Sequence, residues 1–171
     1  MVTLRHGVGR GAQPIMSSLI KPAQPDRVLH LQVMFDLRNK PDWKKRHEEF
    51  EDPSSPLYHK FLSTEESREL GTIPASWYNE VGQWLTAQGF NITAYNQTFY
   101  RAIEFNGTVA QVNRTFNVEI MTTADGKNYG ILRAPMIPAR FQSTIAGIFG
   151  LDNISAVSPA AGGAAQLAPS R

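Results

Sequence analysis

Four histidines and one pair of carboxylates are the side chains of this sequence best suited to chemistry. Histidine is the residue type suited to proton transfer and to metal ligation, and the four are His6, His30, His47 and His59. No two of them stand at a metal-ligand spacing, and no carboxylates accompany them in a known pattern. His30 falls on the solvent side of a strand, while His47 and His59 read as packing or hydrogen-bonding groups. Glu48 and Asp52 stand four apart and can share one helix face. Paired carboxylates do acid–base work only with burial and a nucleophile close by. Here the helix stops at Pro53 and Lys44 and Lys45 flank it, so a solvated charged face accounts for them better. The chain has no cysteine, which removes thiol nucleophiles, thiolate metal sites and disulfides but leaves the compartment open. A Gly-x-Ser-x-Gly elbow, a phosphate loop and a dinucleotide fingerprint are also lacking. The expectation is a chain with no catalytic residues, no cofactor and no metal.

Two other constellations carry chemistry of a different kind. Asn91, Asn96, Asn106, Asn113 and Asn153 each begin an Asn-x-Ser/Thr triplet, the acceptor pattern for glycans in a eukaryotic secreted protein. The same residue types serve turns and helix caps, and Thr108 is accounted for as a cap, so the structural reading is preferred. Trp77 and Trp84 with Phe99, Tyr100 and Phe105 could stack on nucleic-acid bases, yet helical spacing and strand alternation explain most of them as core. Charge decides against nucleic acid. The sequence pI is about 9.0 and the net charge +2, but residues 1–27 hold Arg5, Arg10, Lys21 and Arg27 against Asp26 alone. The remaining 13 basic and 14 acidic residues leave the body of the chain at −1, whereas a nucleic-acid-binding domain concentrates positive charge on its folded face.

The elements that must position these groups are legible from periodicity. With 171 residues, 42% of them hydrophobic, one domain with a real core is expected. No apolar run approaches the 18 or so residues of a membrane span. Residues 1–27 show no period and read as a flexible basic arm, of the kind left after removal of a targeting segment. Val28 to Leu37 alternates strictly, with Leu29, Leu31, Val33, Phe35 and Leu37 on one face. Pro41-Asp42 opens a short helix placing Trp43, His47 and Phe50 on one side. Ser63-Thr64-Glu65-Glu66 is a capping box for a helix to about Leu70. Pro74 introduces a longer helix carrying Trp77, Val81, Trp84 and Leu85, with Gly89 as its stop. Phe90 to Tyr95 and Phe99 to Asn106 are strands. Thr108 and Gln111 form a second capping box, opening a helix that turns Val109, Val112 and Phe116 inward. Val118 to Thr122 and Asn128 to Arg133 read as a hairpin turned at Asp125-Gly126. Pro138 starts a short helix to about Ile145, and Gly147 to Leu151 is punctuated by glycine. From Ala156 the chain is Ala, Gly, Ser and Pro with few large side chains, which is a linker composition. The order of strand, helices, two strands, helix and strand predicts an α+β fold of ferredoxin-like (split βαβ) type. It pairs an antiparallel sheet with helices on one face, leaving the other face and the edges free for a partner.

One stretch is more specific than any of these. Asp52-Pro53-x-Ser55-Pro56-x-Tyr58-His59-x-Phe61-Leu62 is a rigid loop, with φ fixed at two prolines and the residues before them driven out of the helical region. Leu57, Tyr58, Phe61 and Leu62 give it more apolar surface than a solvated loop needs, so it either pins to the core or meets a partner. Pinning is the preferred reading, with Tyr58, Phe61 and Leu62 anchoring the crossing to the long helix. The block resembles the signature of the activation domain of sedolisin/kumamolisin-type serine-carboxyl peptidases. Further blocks follow in the family's order: Trp84-Leu85 before Gly89-Phe90, then Phe105-x-Gly107-Thr108 running on to Phe116, then Pro138, then Gly150-Leu151. The resemblance covers roughly residues 28–152.

That resemblance implies a propeptide comparable in fold to subtilisin prodomains. It would act as intramolecular chaperone and inhibitor of a secreted peptidase and be released by autoprocessing at acid pH. It puts the catalytic Glu, Asp and Ser in a separate domain and carries none of them onto Glu48 or Asp52. The partner implied is the cognate catalytic domain, with no nucleic acid or membrane, and the isolated chain is expected to be monomeric. By analogy the open sheet face docks and the linker over 153–171 threads the cleft. Its processing region holds Pro159, Gly162, Gly163, Gln166, Leu167 and Pro169, and from Ala156 to Arg171 it reaches at most about 55 Å. The rival reading is a stand-alone protease inhibitor or binding module of the same fold.

Overall fold

Val28–Phe35 is a central strand of the main sheet, pairing with one strand on each side. The computed structural model describes residues 1–4, 17–37, 40–60, 62–96 and 101–154. In chain order the strands are β1 (Val2–Thr3), β2 (Lys21–Pro22), β3 (Val28–Phe35), β4 (Asn91–Asn96), β5 (Ala102–Thr108), β6 (Ile120–Thr122), β7 (Tyr129–Ile131), β8 (Met136–Ile137) and β9 (Ile145–Phe149). The helices are α1 (Pro41–Glu51), α2 (Thr64–Gly71), α3 (Ala75–Ala87) and α4 (Val109–Phe116). The main sheet runs β4-β5-β3-β9, antiparallel throughout. Stripped of its additions, the order is β3-α3-β4-β5-α4-β9. Each strand joined to the next through a helix lies one strand away from it, which is the split βαβ arrangement.

The alternation in β3 buries Leu29, Leu31, Val33 and Phe35 on the helix side. Ile103 and Phe105 of β5 join them, as do Val81, Trp84 and Leu85 of α3 and Val109, Val112 and Phe116 of α4. Both predicted capping boxes form. Ser63 Oγ accepts from the Glu66 N–H while Glu66 accepts from the Ser63 N–H, and Thr108 and Gln111 do the same for α4. Gly89 ends α3 at a φ of +86°, the left-handed region where a side chain is strained.

Four details differ from the sequence reading. The fourth strand of the sheet is β9, drawn from the glycine-punctuated segment, and not Val118–Thr122. The hairpin of β6 and β7 instead joins β2 in a separate three-stranded sheet. Glycine is depleted in strands, but at Gly150, with φ of +86°, a Cβ would collide with the His30 carbonyl, so only glycine lets the two backbones close. The helix expected from Pro138 to Ile145 shrinks to a single 3-10 turn, Ala139–Phe141, because Ile145 is drawn into pairing with Phe35. The parts of the 1–27 arm that are described join the fold: β1 pairs with β8, β2 pairs with β6, and Leu4, Leu19 and Ala23 are buried. Finally, β5 begins at Ala102, and Phe99 and Tyr100 lie outside the described residues.

Candidate docking interface

Among the described residues, helices cover one side of the main sheet, and its other side faces outward. It is formed by the alternate residues Val28, His30, Gln32 and Met34 of β3, by Glu104 and Asn106 of β5, and by Phe149 of β9. The register sets Gln32 between Glu104 and Phe149, and His30 opposite Asn106. His30 donates through Nδ1 to Asn106 Oδ1 at 2.7 Å, a cross-strand bond that fixes the ring and leaves Nε2 for another partner. A shallow depression of about 320 Å³ lies over this row, lined by His30, Gln32, Thr93, Glu104, Asn106 and Phe149 among others. Phe149 is 53% exposed and Val28 55% exposed. An aromatic ring standing out of a face that mixes Val28 and Met34 with hydrogen-bonding side chains is the composition of a protein–protein contact. The imidazole, amides, carboxylate and aromatic ring lining the depression are the makings of recognition.

The sequence-predicted motif residues divide into two groups. The later blocks are scaffold. Trp84, Leu85, Phe90, Phe105, Phe116 and Leu151 are buried, and the rings of Trp84, Phe90 and Phe105 surround Phe116 at centroid distances of 5.9, 5.8 and 6.5 Å. Gly107 lies under the ring of Phe90, Thr108 caps α4, Pro138 leads into the 3-10 turn, and Gly150 meets the backbone of His30. The first block is a self-braced surface loop. Asp52 Oδ1 accepts from the Ser54 hydroxyl at 2.7 Å and the Ser54 N–H at 2.8 Å, and Ser55 Oγ accepts from the Leu57 N–H. The His59 N–H donates to the Phe50 carbonyl. Asp52, Pro53, Pro56, Tyr58 and His59 are exposed, and Tyr58 stacks on His59 with centroids 4.0 Å apart. The expected anchoring of this loop by Tyr58 is therefore corrected. Local hydrogen bonds and two prolines stiffen it, and Leu62 reaches only a half-buried position near α1. Phe61 and the linker residues Pro159, Gly162, Gly163, Gln166, Leu167 and Pro169 lie outside the described residues.

Glu48 and Asp52 do not form an acid pair, since the Asp52 carboxylate is taken by Ser54. His47 instead faces Glu51 at 3.5 Å. Phe149 carries no period-of-two signal in the sequence, because the bulge opposite Met34 and Phe35 puts Ala146 out of register and breaks the alternation of β9 itself. Arg101 was passed over as well, and its guanidinium donates to the Gly71 carbonyl at 2.5 Å, tying α2 to the start of β5.

Three surface carboxyls are held below the usual carboxylate range by local donors. They are Asp52 by the Ser54 hydroxyl and N–H, Glu66 by the Ser63 N–H and hydroxyl with help from Arg46, and Asp125 by the Thr123 hydroxyl and the Lys127 N–H. A carboxyl whose pKa is lower folded than unfolded contributes stability above its unfolded pKa and loses it as pH falls through the folded one. The melting temperature is thus expected to fall on acidification from about pH 5 to about pH 3. Glu66→Gln should start lower at pH 6 and fall less. Thermal melts of both proteins across this range check it, and parallel curves would refute the assignment to Glu66.

No curated protein matches the chain. The family of the pro-kumamolisin activation domain matches it over residues 16–154, a span that takes in the main sheet, its helices and the open face. The chain belongs to the pro-kumamolisin activation domain family, and is the propeptide of a peptidase zymogen and not its catalytic domain.

Proposed function

We propose that this domain inhibits and helps to fold a secreted serine-carboxyl peptidase, docking on it through the open sheet face and threading the linker over 153–171 into its cleft. The observation that carries this reading is the family match over a domain whose one uncovered sheet face exposes Phe149 and Val28 amid hydrogen-bonding side chains. Residues 28–152 form the docking unit, which is monomeric when released. Joined in one chain, domain and enzyme meet at an effective concentration in the millimolar range, so a modest affinity suffices for near-complete silencing.

Acid release follows if carboxylates at the contact are held charged by cations across it, since such pairs lose their attraction as the carboxylates take up protons on acidification. Purified chain added to its mature peptidase should inhibit at neutral pH and let go toward about pH 4. Absence of inhibition at neutral and mildly acidic pH would overturn the reading, and a flat pH profile would remove the acid step alone.

A further inference from the structure

The chain is strapped down where it passes from the domain toward the linker. Phe149 pairs with Gln32 at the end of β9, Gly150 turns beside the His30 carbonyl, and the Tyr129 hydroxyl donates to the Gly150 carbonyl at 3.3 Å. Leu151 is fully buried. Asn153 then lies along the free edge of β7. Its N–H donates to the Tyr129 carbonyl at 3.1 Å, its Oδ1 accepts from the Tyr129 N–H at 2.7 Å, and its Nδ2 donates to the Lys127 carbonyl at 2.9 Å. On the β6 side it is Asn128 whose carbonyl accepts from Thr123, so the polar groups of Tyr129 are left for Asn153. One side-chain amide supplies the donor and acceptor that a further strand would bring, and so closes an edge. Gly130 makes room for the strap, for a Cβ there would come within 3.2 Å of Ile154.

Only the turn Gly150–Asp152 separates this clamp from Phe149 on the docking face. A loose joint would spread the following linker over a wide volume, whereas a fixed one concentrates it along a single line of exit and raises its effective concentration at a site on that line. We infer that Asn153 is a positioning residue, whose side-chain amide sets the point and direction at which the linker leaves the docked domain. The inference rests on the propeptide reading above. It also gives the Asn153-Ile154-Ser155 triplet a structural role, because a glycan on Nδ2 would crowd the bond to Lys127.

The experiment uses the full chain as inhibitor of its mature peptidase. Asn153→Ala is expected to raise the inhibition constant about tenfold while circular dichroism stays native and the Tyr129 amide exchanges faster. In a chain with Gly-Ser-Gly-Ser inserted between Ser155 and Ala156, which uncouples the linker from its joint, Asn153→Ala should add nothing. An equal loss in both backgrounds means a merely structural role and overturns the inference, as does unchanged inhibition by Asn153→Ala. Should Asn153→Ala fail to fold, Asn153→Asp keeps the acceptor for Tyr129 and loses only the donor to Lys127, and the same comparison applies. A wild-type chain that leaves the peptidase fully active overturns the propeptide reading itself, and the exchange rate of Tyr129 then still reports whether the clamp exists.

Discussion

Truncating Phe116 to alanine is expected to cost about 3–5 kcal/mol of folding stability. The side chain is 0% exposed and sits at the end of α4, between the long helix and the sheet. Trp84 meets it edge-on at 5.9 Å, Phe90 stacks at 5.8 Å, and Phe105 of β5 closes the cluster. These neighbours belong to α3, the turn into β4, and β5, so their backbones are fixed by separate hydrogen-bond ladders and the hole cannot collapse. The cost is a large fraction of the stability of an ordinary domain, about 5–15 kcal/mol. Denaturant unfolding measures it directly, and a loss under about 1 kcal/mol would mean that the aromatic cluster relaxes freely. If the domain also guides its peptidase to the folded state, a precursor carrying this substitution should yield little active enzyme.

Truncating Phe149 to alanine should act in the opposite way, leaving the domain folded and weakening inhibition about thirtyfold, which corresponds to about 2 kcal/mol at a central aromatic contact. The ring is 53% exposed, so its removal opens no cavity, and the strand is held by the backbone pairing of Gln32 with Phe149. Leu132→Ala is the matched control. Leu132 is 59% exposed but follows β7 and lies off the main sheet, and it should leave the inhibition constant unchanged. Inhibition assays beside thermal melts separate the two effects. Equal inhibition by Phe149→Ala and wild type would move the docking surface away from the open face.

The two substitutions show which kinds of information the linear chain carries. Phe116 was recognisable as core from its position in a capped helix, because Val109, Val112 and Phe116 repeat at helical spacing and the Thr108–Gln111 box marks the start. Phe149 was not, because two glycines and an irregular period masked a strand. The Asp52–Leu62 block was legible as a rigid loop and as a family mark, but its apolar residues suggested burial. What holds it is Asp52 with Ser54 and Ser55 with Leu57, hydrogen bonds short enough in sequence to brace a loop without any core beneath it.

By itself the sequence determined the helix caps, the alternation of β3, the α+β class and the kinship to peptidase activation domains. Each of these depends on residues a few positions apart, where a hydroxyl reaches the third amide onward or a side chain falls on every second position. The tertiary structure alone decided that β9 is the fourth strand, that Phe149 stands on the bare face beside His30, and that Asn153 closes the edge of β7. The first two depend on register between β3 and β9, far apart in sequence, and the third on a contact across 24 positions. A shift of one residue would turn every side chain of a strand to the other face, and no local pattern sets that register. Close backbone approach at Gly150 does.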